Sequence, residues 1–374
     1  MISHEAAAHW MERCLSLAAN ADNATSPNPR VGCVILSPEG KLLGEGWHRR
    51  VGGLHAEAEA INQVRSQQGA QALQGSTLVV NLEPCNHQGR TPPCSHSIID
   101  SGVAQVVIGM KDPNPVAAGG IDWLRSANIS VMTDVLKSRC YRFNEAFAHW
   151  QTRQIPFVTL KLAQTLDGCI ATAKGESQWI TGKVARKCVH VWRAENDAVL
   201  IGSGTARTDD PSLTVRHVSG IQPWRIILDG QAELPSTLKV FTDEWASKTV
   251  AIVANRPTSQ YCDQLSDKGV RLIIAPSRSN RVILSELIRL LGTQMQIQSL
   301  LVEAGPRLAS TLIQQDLIDR LRLLIAPKLI GDGLHAFGDL GVKQLRNCFI
   351  FNEYSWESIG EDQLFTGHKH PVPA

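Results

Sequence analysis

The sequence predicts an α/β protein of two domains. Three observations carry that prediction: the chain's length, its alternation of strand-like and helix-like segments, and a fresh start to the pattern near residue 150. A chain of 374 residues exceeds what one hydrophobic core usually organises. Apolar residues make up 43% of it, an ordinary share for a globular protein.

The first domain, 1–150, opens with a helical pattern over residues 4–20. Asn28-Pro29 turns the chain into a strand at 31–36, and Glu39-Gly40 reads as a hairpin turn before a strand at 42–47. Residues 56–67 read as helix and Ser76 to Leu82 as a β-branched strand. Pro92-Pro93 opens a helix through Ile99 that Gly102 ends. A strand from Val103 to Gly109, a helix at 119–127 and a strand at 129–132 complete a sheet covered by helices. Val135 to Gln151 reads as one connecting helix, stopped by Ile155-Pro156.

The second domain, 151–374, has strand-like runs at 157–163, 197–201, 224–228, 248–253, 270–274, 299–303 and 321–326. Helical stretches at 181–194, 259–267, 283–292 and 306–315 lie between some of them, so this half is α/β as well. His368 to Ala374 reads as a loose tail.

Composition narrows the function. Lys plus Arg number 37 and Asp plus Glu 35, a formal charge of +2 that argues for neither a nucleic-acid nor an anionic-membrane partner. The N-terminus lacks the pattern of a secretory signal and no apolar run reaches membrane-spanning length, so a cytoplasmic location is expected. Nine scattered cysteines point to reduced thiols with a few recruited as ligands. Cys33, Cys169, Cys188, Cys262 and Cys348 lie in or beside apolar segments and read as packing.

The recruited thiols are Cys85 and Cys94. With His55 they make three zinc ligands and leave a fourth tetrahedral position for water. Placing the thiols at helix N-termini would stabilise their anions. Glu57, two residues beyond the histidine, is offset to reach that water without binding the metal, the arrangement in which a glutamate shuttles protons during base deamination. The competing reading is a structural zinc site, with His48, His87 or His96 as a fourth ligand. Eight residues separate Cys85 from Cys94, a longer gap than in the Pro-Cys-x-x-Cys form, so Asn86 to Thr91 form a polar loop beside the metal. Such a loop suits a substrate larger or more polar than cytosine.

These segments resemble a known family, the bifunctional riboflavin-biosynthesis deaminase–reductases. The resemblance is carried by Ser26-Pro27-Asn28-Pro29-Arg30-Val31-Gly32, Gly46-Trp47-His48, His55-Ala56-Glu57, Leu82 through Cys94, and Lys111-Asp112-Pro113-Asn114-Pro115. It continues through Leu166-Asp167-Gly168, Gly175 through Thr181, Gly204-Thr205, Asp209 through Arg216, and Val302-Glu303-Ala304-Gly305-Pro306. The resemblance implies a cytidine-deaminase-like first domain and a dihydrofolate-reductase-like second domain. The first would remove the 2-amino group of 2,5-diamino-6-(5-phosphoribosylamino)pyrimidin-4(3H)-one. The second would use NADPH to reduce 5-amino-6-(5-phosphoribosylamino)uracil to its ribityl form. One zinc ion per chain, NADPH, a phosphorylated pyrimidine and a homo-oligomer formed through the reductase domains follow from the same resemblance.

It also implies roles for residues. Asn28, His48 and the Asn86–Thr91 loop become substrate contacts of the deaminase, although Asn28 also suits a plain turn and His48 a purely orienting hydrogen bond. Lys111 reads equally as a phosphate contact or a solvated charge. Ala163, Trp179, Thr205, Asp209 and the segment Gly305, Pro306, Arg307, Leu308, Ala309, Ser310, Thr311 become cofactor contacts. Ser177, Arg193, Leu213, Arg216 and Glu303 become substrate contacts. Arg193 and Arg216 have the planar donors that a 5′-phosphate requires, against a bland reading as surface charge. No Gly-x-Gly-x-x-Gly fingerprint opens a βαβ unit; Gly202-Ser203-Gly204-Thr205 and Glu303 to Leu308 are instead two glycine turns that each follow a strand. Leu166-Asp167-Gly168 reads as a structural turn. Three rivals remain: a nucleoside or nucleic-acid deaminase, a binding protein with a structural zinc and a degenerate reductase half, and an active deaminase joined to an inactive reductase.

Overall fold

The computed structural model describes residues 2–21, 23–88 and 92–373. The chain forms two compact units, 1–153 and 154–373.

The first unit runs α1 (His4–Ala18), β1 (Gly32–Leu36), β2 (Leu42–Trp47), α2 (Ala56–Gln68), β3 (Thr77–Leu82), α3 (Cys94–Ser101), β4 (Gln105–Met110), α4 (Gly120–Ser126), β5 (Ser130–Met132), α5 (Lys137–Phe143) and α6 (Glu145–Arg153). Its five strands lie in the order β2-β1-β3-β4-β5. β1 is antiparallel to both of its neighbours, while β3, β4 and β5 are parallel. β1, β3 and β4 are buried along their whole length, as strands covered by helices on both faces must be. Ala7, Met11, Cys14 and Ala18 of α1 recur at helical spacing and enter that core. α2 lies on β1 and β2. Gly46 permits its close approach, since a Cβ there would come within 2.7 Å of the Ala56 carbonyl oxygen and the Ala60 nitrogen.

The predicted 135–151 helix is broken at Asn144, which separates α5 from α6. The reason is tertiary. Asn144 accepts from the Arg30 amide (2.9 Å) and donates to the Arg30 carbonyl (2.9 Å), fixing the turn that precedes β1.

The second unit begins β6 (Phe157–Thr165), β7 (Cys169–Thr172), α7 (Lys183–Ala194), β8 (Ala198–Gly202), α8 (Ser203–Asp209), β9 (Trp224–Leu228), α9 (Lys239–Thr242), β10 (Thr249–Val253), α10 (Ser259–Ser266) and β11 (Arg271–Ile274). It continues β12 (Ser277–Arg278), β13 (Arg281–Val282), α11 (Leu284–Met295), β14 (Ser299–Glu303), α12 (Pro306–Gln314), β15 (Arg320–Ala326), β16 (Gly333–His335), β17 (Glu353–Ile359) and β18 (Asp362–His368). Nine strands form one sheet in the order β11-β10-β9-β8-β14-β6-β15-β18-β17. The first seven are parallel, and β18 and β17 close the far edge antiparallel. Two apolar clusters flank the sheet, one around Leu160, Leu300 and Leu312, the other around Val199, Ile227 and Phe241.

Sequence reasoning missed β17 and β18 and took the end of the chain for a loose tail. His368 closes β18 opposite Arg320, Lys369 donates to the Asp319 carbonyl, and Val372 donates to Glu353 (3.0 Å). The described part of that tail is therefore tied down.

Candidate active sites

The first site forms where α2 and α3 begin. His55 is the N-cap of α2 and Glu57 lies in its first turn. Cys94 starts α3, but Cys85 lies in the loop after β3 rather than on a helix, which corrects the expectation that both thiols occupy helix starts. Cys85 nevertheless gains what that place would have given it. The Cys94 amide donates to its sulfur at 3.4 Å; the Cys94 thiol first, then His55 and that amide, outweigh burial and hold the Cys85 thiol far below the usual range, at about 4.

His55 Nδ1 stands 3.6 Å from Cys85 Sγ and 3.3 Å from Cys94 Sγ. Ligands at tetrahedral angles around zinc, with Zn–N near 2.0 Å and Zn–S near 2.3 Å, would be separated by roughly 3.6 Å. The three donors therefore fit one zinc ion. Among the described residues no fourth His, Cys, Asp or Glu joins the group. His48 is engaged elsewhere: its Nδ1 lies 2.8 Å from the Leu54 carbonyl, to which it must donate, so Nε2 accepts from the Asn28 amide at 3.2 Å. His96 is exposed and stacks on Trp123. Glu57 is only 3% exposed, and burial, with the Cys85 sulfur next, raises its pKa to about 7.

Sequence reasoning did not find Glu83. This buried carboxylate accepts from the amides of Asp112 (3.1 Å), Gly119 (3.0 Å) and Ile121 (3.0 Å), tying the loop after β4 to the strand end that carries Cys85. Only its place before Pro84-Cys85 could have drawn notice. Of the expected polar loop, residues 89–91 lie outside the described residues. His87 is described, and its Nδ1 is buried with no hydrogen-bond partner among the described residues.

The second site lies at the C-terminal ends of the parallel strands β8, β14 and β6, where open α/β sheets bind ligands. The two glycine turns meet there: a Cβ on Gly305 would stand 3.4 Å from the Thr205 hydroxyl, and one on Gly202 would stand 3.8 Å from Leu308. Gly305 caps α12 and Pro306 occupies its first turn, so the backbone N–H groups of Arg307 and Leu308 point out of the helix start. The later part of that segment is spent internally. Ala309 and Ser310 are buried; the Ala309 amide donates to Gly305, and the Ser310 and Thr311 hydroxyls engage Gly338 and Arg307.

Arg193 is no surface charge. It donates to both oxygens of Glu303 (2.6 and 3.0 Å) and to the Thr214 carbonyl, so one bidentate edge expected to hold a phosphate is taken. Glu303 is half-buried, yet Arg193 and Lys161 hold its carboxyl down to about 2. Lys161, which sequence reasoning missed, lies on β6 in register with Glu303, where burial lowers its pKa. Asp209, hydrogen-bonded to Ser177, faces the same lysine, and burial raises its carboxyl. Arg216 approaches Arg193 and donates to Thr214 (3.1 Å); burial and Arg193 lower its pKa. His190 accepts from the Arg216 amide (3.2 Å) and is pushed down to about 4 by burial, then by Arg193, His217 and Arg216. Leu213 has a left-handed backbone and a buried side chain. Ala163 lies on β6, and Trp179 is 63% exposed. Of the cysteines expected to pack, Cys33 and Cys169 are buried, Cys188 and Cys262 are half-buried, and Cys348 is exposed.

Fold and sites together define an enzyme with two catalytic units, a deaminase with a cytidine-deaminase-like fold and a reductase with a dihydrofolate-reductase-like fold. Residues 4–110 match the cytidine and deoxycytidylate deaminase zinc-binding region, and residues 156–365 match the RibD C-terminal domain. The riboflavin biosynthesis protein RibD of Aquifex aeolicus is 40% identical over 356 residues, 95% of this chain and 96% of the relative. The Escherichia coli protein of the same description is 37% identical, over 95% of this chain and 97% of the relative. The structure of Acinetobacter baumannii RibD superposes with a TM-score of 0.85 at 34% identity, covering 99% of this chain and all of the other. The deaminase/5-amino-6-(5-phosphoribosylamino)uracil reductase of Thermotoga maritima gives 0.85 at 34%, over 98% and 99% of the two chains. The chain belongs to the RibD family of bifunctional riboflavin-biosynthesis deaminase–reductases.

Proposed function

We propose that this chain deaminates 2,5-diamino-6-(5-phosphoribosylamino)pyrimidin-4(3H)-one and reduces the resulting 5-amino-6-(5-phosphoribosylamino)uracil to the ribitylamino product. The observation that carries the reading is the cluster of His55, Cys85 and Cys94, joined by no fourth protein donor among the described residues, with Glu57 buried beside it. A structural zinc site would close the fourth position with a protein ligand.

In the first unit His55, Cys85 and Cys94 hold one zinc ion, which supplies the acidity that makes water nucleophilic near neutral pH. Glu57 carries both protons of that water in turn, the first to the ring nitrogen as the oxygen adds to the carbon, the second from the resulting hydroxyl to the amine, which leaves as ammonia. Its buried position and raised pKa support a carboxyl that holds the proton between those transfers. Asn28, His48 and the Asn86–Thr91 loop bind the substrate. Asn28 has spent one amide hydrogen on His48, which leaves it a second N–H and its carboxamide oxygen to offer, and the His87 nitrogen with no partner among the described residues supports a polar ligand there.

In the second unit NADPH supplies the hydride. Ala163, Trp179, Thr205, Asp209 and the segment Gly305 to Thr311 bind it, and Ser177, Arg193, Leu213, Arg216 and Glu303 bind the substrate. Arg216 takes the 5′-phosphate; its guanidinium lies beside Arg193 and is aided by an anion that relieves their repulsion. Arg193 holds Glu303 in place. Lys161, between Glu303 and Asp209, is the amine placed to move a proton.

The unit boundary is set near 150, with the deaminase before it and the reductase after it. Exposed Tyr354 and Trp356 on the edge strand β17 support homo-oligomerisation through the reductase unit. Among the described residues no helix is long and apolar enough to cross a membrane.

The test is a mass-resolved time course on zinc-loaded protein given the diaminopyrimidine ribosyl phosphate, with and without NADPH. The expected result is an amine-to-carbonyl exchange in both samples, then a gain of two hydrogens only with NADPH. Bound zinc with neither change would refute the substrate assignment.

A further inference from the structure

The turn Leu166-Asp167-Gly168 has no part in the chemistry above, yet its carboxylate is heavily engaged. One oxygen of Asp167 accepts from the amides of Ile330 (3.0 Å) and Gly331 (2.6 Å), and the other accepts from the Thr165 hydroxyl. These contacts, Thr165 first, hold the carboxyl near 2, so it is an anion at any working pH. The Leu166 amide donates to the Lys328 carbonyl (2.9 Å). The turn after β6 thus pins the segment that leaves β15.

That pinned segment grips another. Lys328 donates to the carbonyls of Trp179 (2.8 Å) and Ile180 (2.7 Å). Arg186 donates to the next carbonyl, Thr181, and lays its guanidinium 4.4 Å from the Trp179 ring centre. The Gly182 amide donates to Asp362 (2.8 Å), itself only 1% exposed. Four consecutive backbone groups, from Trp179 to Gly182, are therefore held by side chains from three separate elements. The Trp179 ring itself meets solvent over most of its surface. An aromatic ring fixed through its backbone and left open is a platform prepared for a planar ligand, because its ordering entropy is lost before the ligand arrives.

We infer that Asp167 and Lys328 are positioning residues for the reduced dinucleotide: Asp167 fixes the segment carrying Lys328, and Lys328 fixes the Trp179 platform against which the nicotinamide docks. This rests on the reading of Trp179 as a cofactor contact. Lys328 is solvent-exposed, so replacing it leaves the core intact.

The experiment titrates NADPH into full-length Lys328→Met, Lys328→Arg, Asp167→Asn and Trp179→Ala proteins by calorimetry, alongside the phosphorylated uracil substrate and ammonia release. Lys328→Met is expected to raise the NADPH Kd about tenfold, and Asp167→Asn several-fold in the same direction. Substrate Kd and ammonia release should stay within about twofold of the parent, and Lys328→Arg should recover most of the loss. Hydrogen exchange without NADPH should quicken across 179–182 in Lys328→Met. Parental NADPH affinity in Lys328→Met, with Trp179→Ala weakened, would overturn the strap alone. Parental affinity in Trp179→Ala would overturn the cofactor reading of the segment and the strap with it. Equal loss of NADPH and substrate would reduce Lys328 to a general structural role and so refute the proposal.

Discussion

The two sites are built in opposite ways. The deaminase site takes its donors and its proton carrier from two short stretches, His55–Glu57 and Cys85–Cys94, each fixed at the start of a helix or the end of a strand. The reductase site gathers Lys161, Arg193, Asp209, Arg216 and Glu303 from elements spread over some 140 residues, and its charges hold one another. A metal site needs few ligands at fixed distances, so a compact motif suffices. An anionic organic substrate beside a dinucleotide needs a large, evenly supported floor, which a parallel sheet supplies along its strand ends. Damage should therefore be local and chemical in the first site, and distributed and partly structural in the second.

The largest expected effect is Glu57→Gln. Loss of the proton carrier should lower the rate of ammonia release by about 10²–10⁴-fold, while zinc content and reduction of the pre-deaminated substrate remain parental. Parental turnover in that variant would remove Glu57 from the mechanism. Next is Arg193→Met, which strands the Glu303 carboxylate in a pocket where the two side chains are only 10% and 13% exposed. Breaking a buried pair from one side costs about 3–5 kcal/mol. Denaturant unfolding followed in the second unit checks it, and a change below about 1 kcal/mol would mean that the pair is solvated. Such a stability loss has no counterpart in Glu57→Gln, and that contrast is what the comparison between the sites asserts.

Arg216→Ala sharpens it further. The phosphorylated substrate should bind about tenfold to a hundredfold more weakly, as for a lost hydrogen bond to a charged group, with NADPH affinity retained. Equal affinity of variant and parent for the substrate would place the phosphate elsewhere. The smallest effect is spectroscopic. His190 should stay neutral as acid is added until about pH 4, and an NMR titration of its ring would read this directly. Its folded pKa is depressed, so the unfolded chain takes up that proton first and the resulting stability is lost as pH falls from about 6.5 toward 4. A midpoint at or above 6.5 would contradict the burial and the neighbouring cations that set the shift.

The same contrast governs what could be read from the residues alone. His55, Glu57, Cys85 and Cys94 were legible because their spacing repeats a chemical requirement within a short stretch. Strands such as Trp224–Leu228 and Ser299–Glu303 were legible because burial on both faces leaves continuous apolar runs. β17 was not, since Glu353–Ile359 is an edge strand with most of its residues exposed, and its alternation is confined to Tyr354 and Trp356 among polar neighbours. Gly202-Ser203-Gly204-Thr205 reads as a glycine turn, whereas Ser203–Asp209 folds as a helix whose one buried residue, Ala206, leaves no periodic stripe. Lys161, Glu83 and Lys328 were invisible for another reason. Each acts on partners remote in sequence, and a lone charged residue carries no spacing that would announce them.

The neck of the polar loop beside the metal has a further consequence. The Cys94 amide meets the Cys85 sulfur, the Ser95 amide meets the Cys85 carbonyl at 3.2 Å, and the Ser95 hydroxyl meets Asn86 at 2.7 Å. The two ends of the loop are thus stitched to each other independently of what lies between them. Closing a longer loop costs little additional entropy, since each doubling adds only about 0.6 kcal/mol. The segment between Asn86 and Cys94 is therefore a cassette: its length and side chains can drift, by evolution or by design, while the metal donors stay in place.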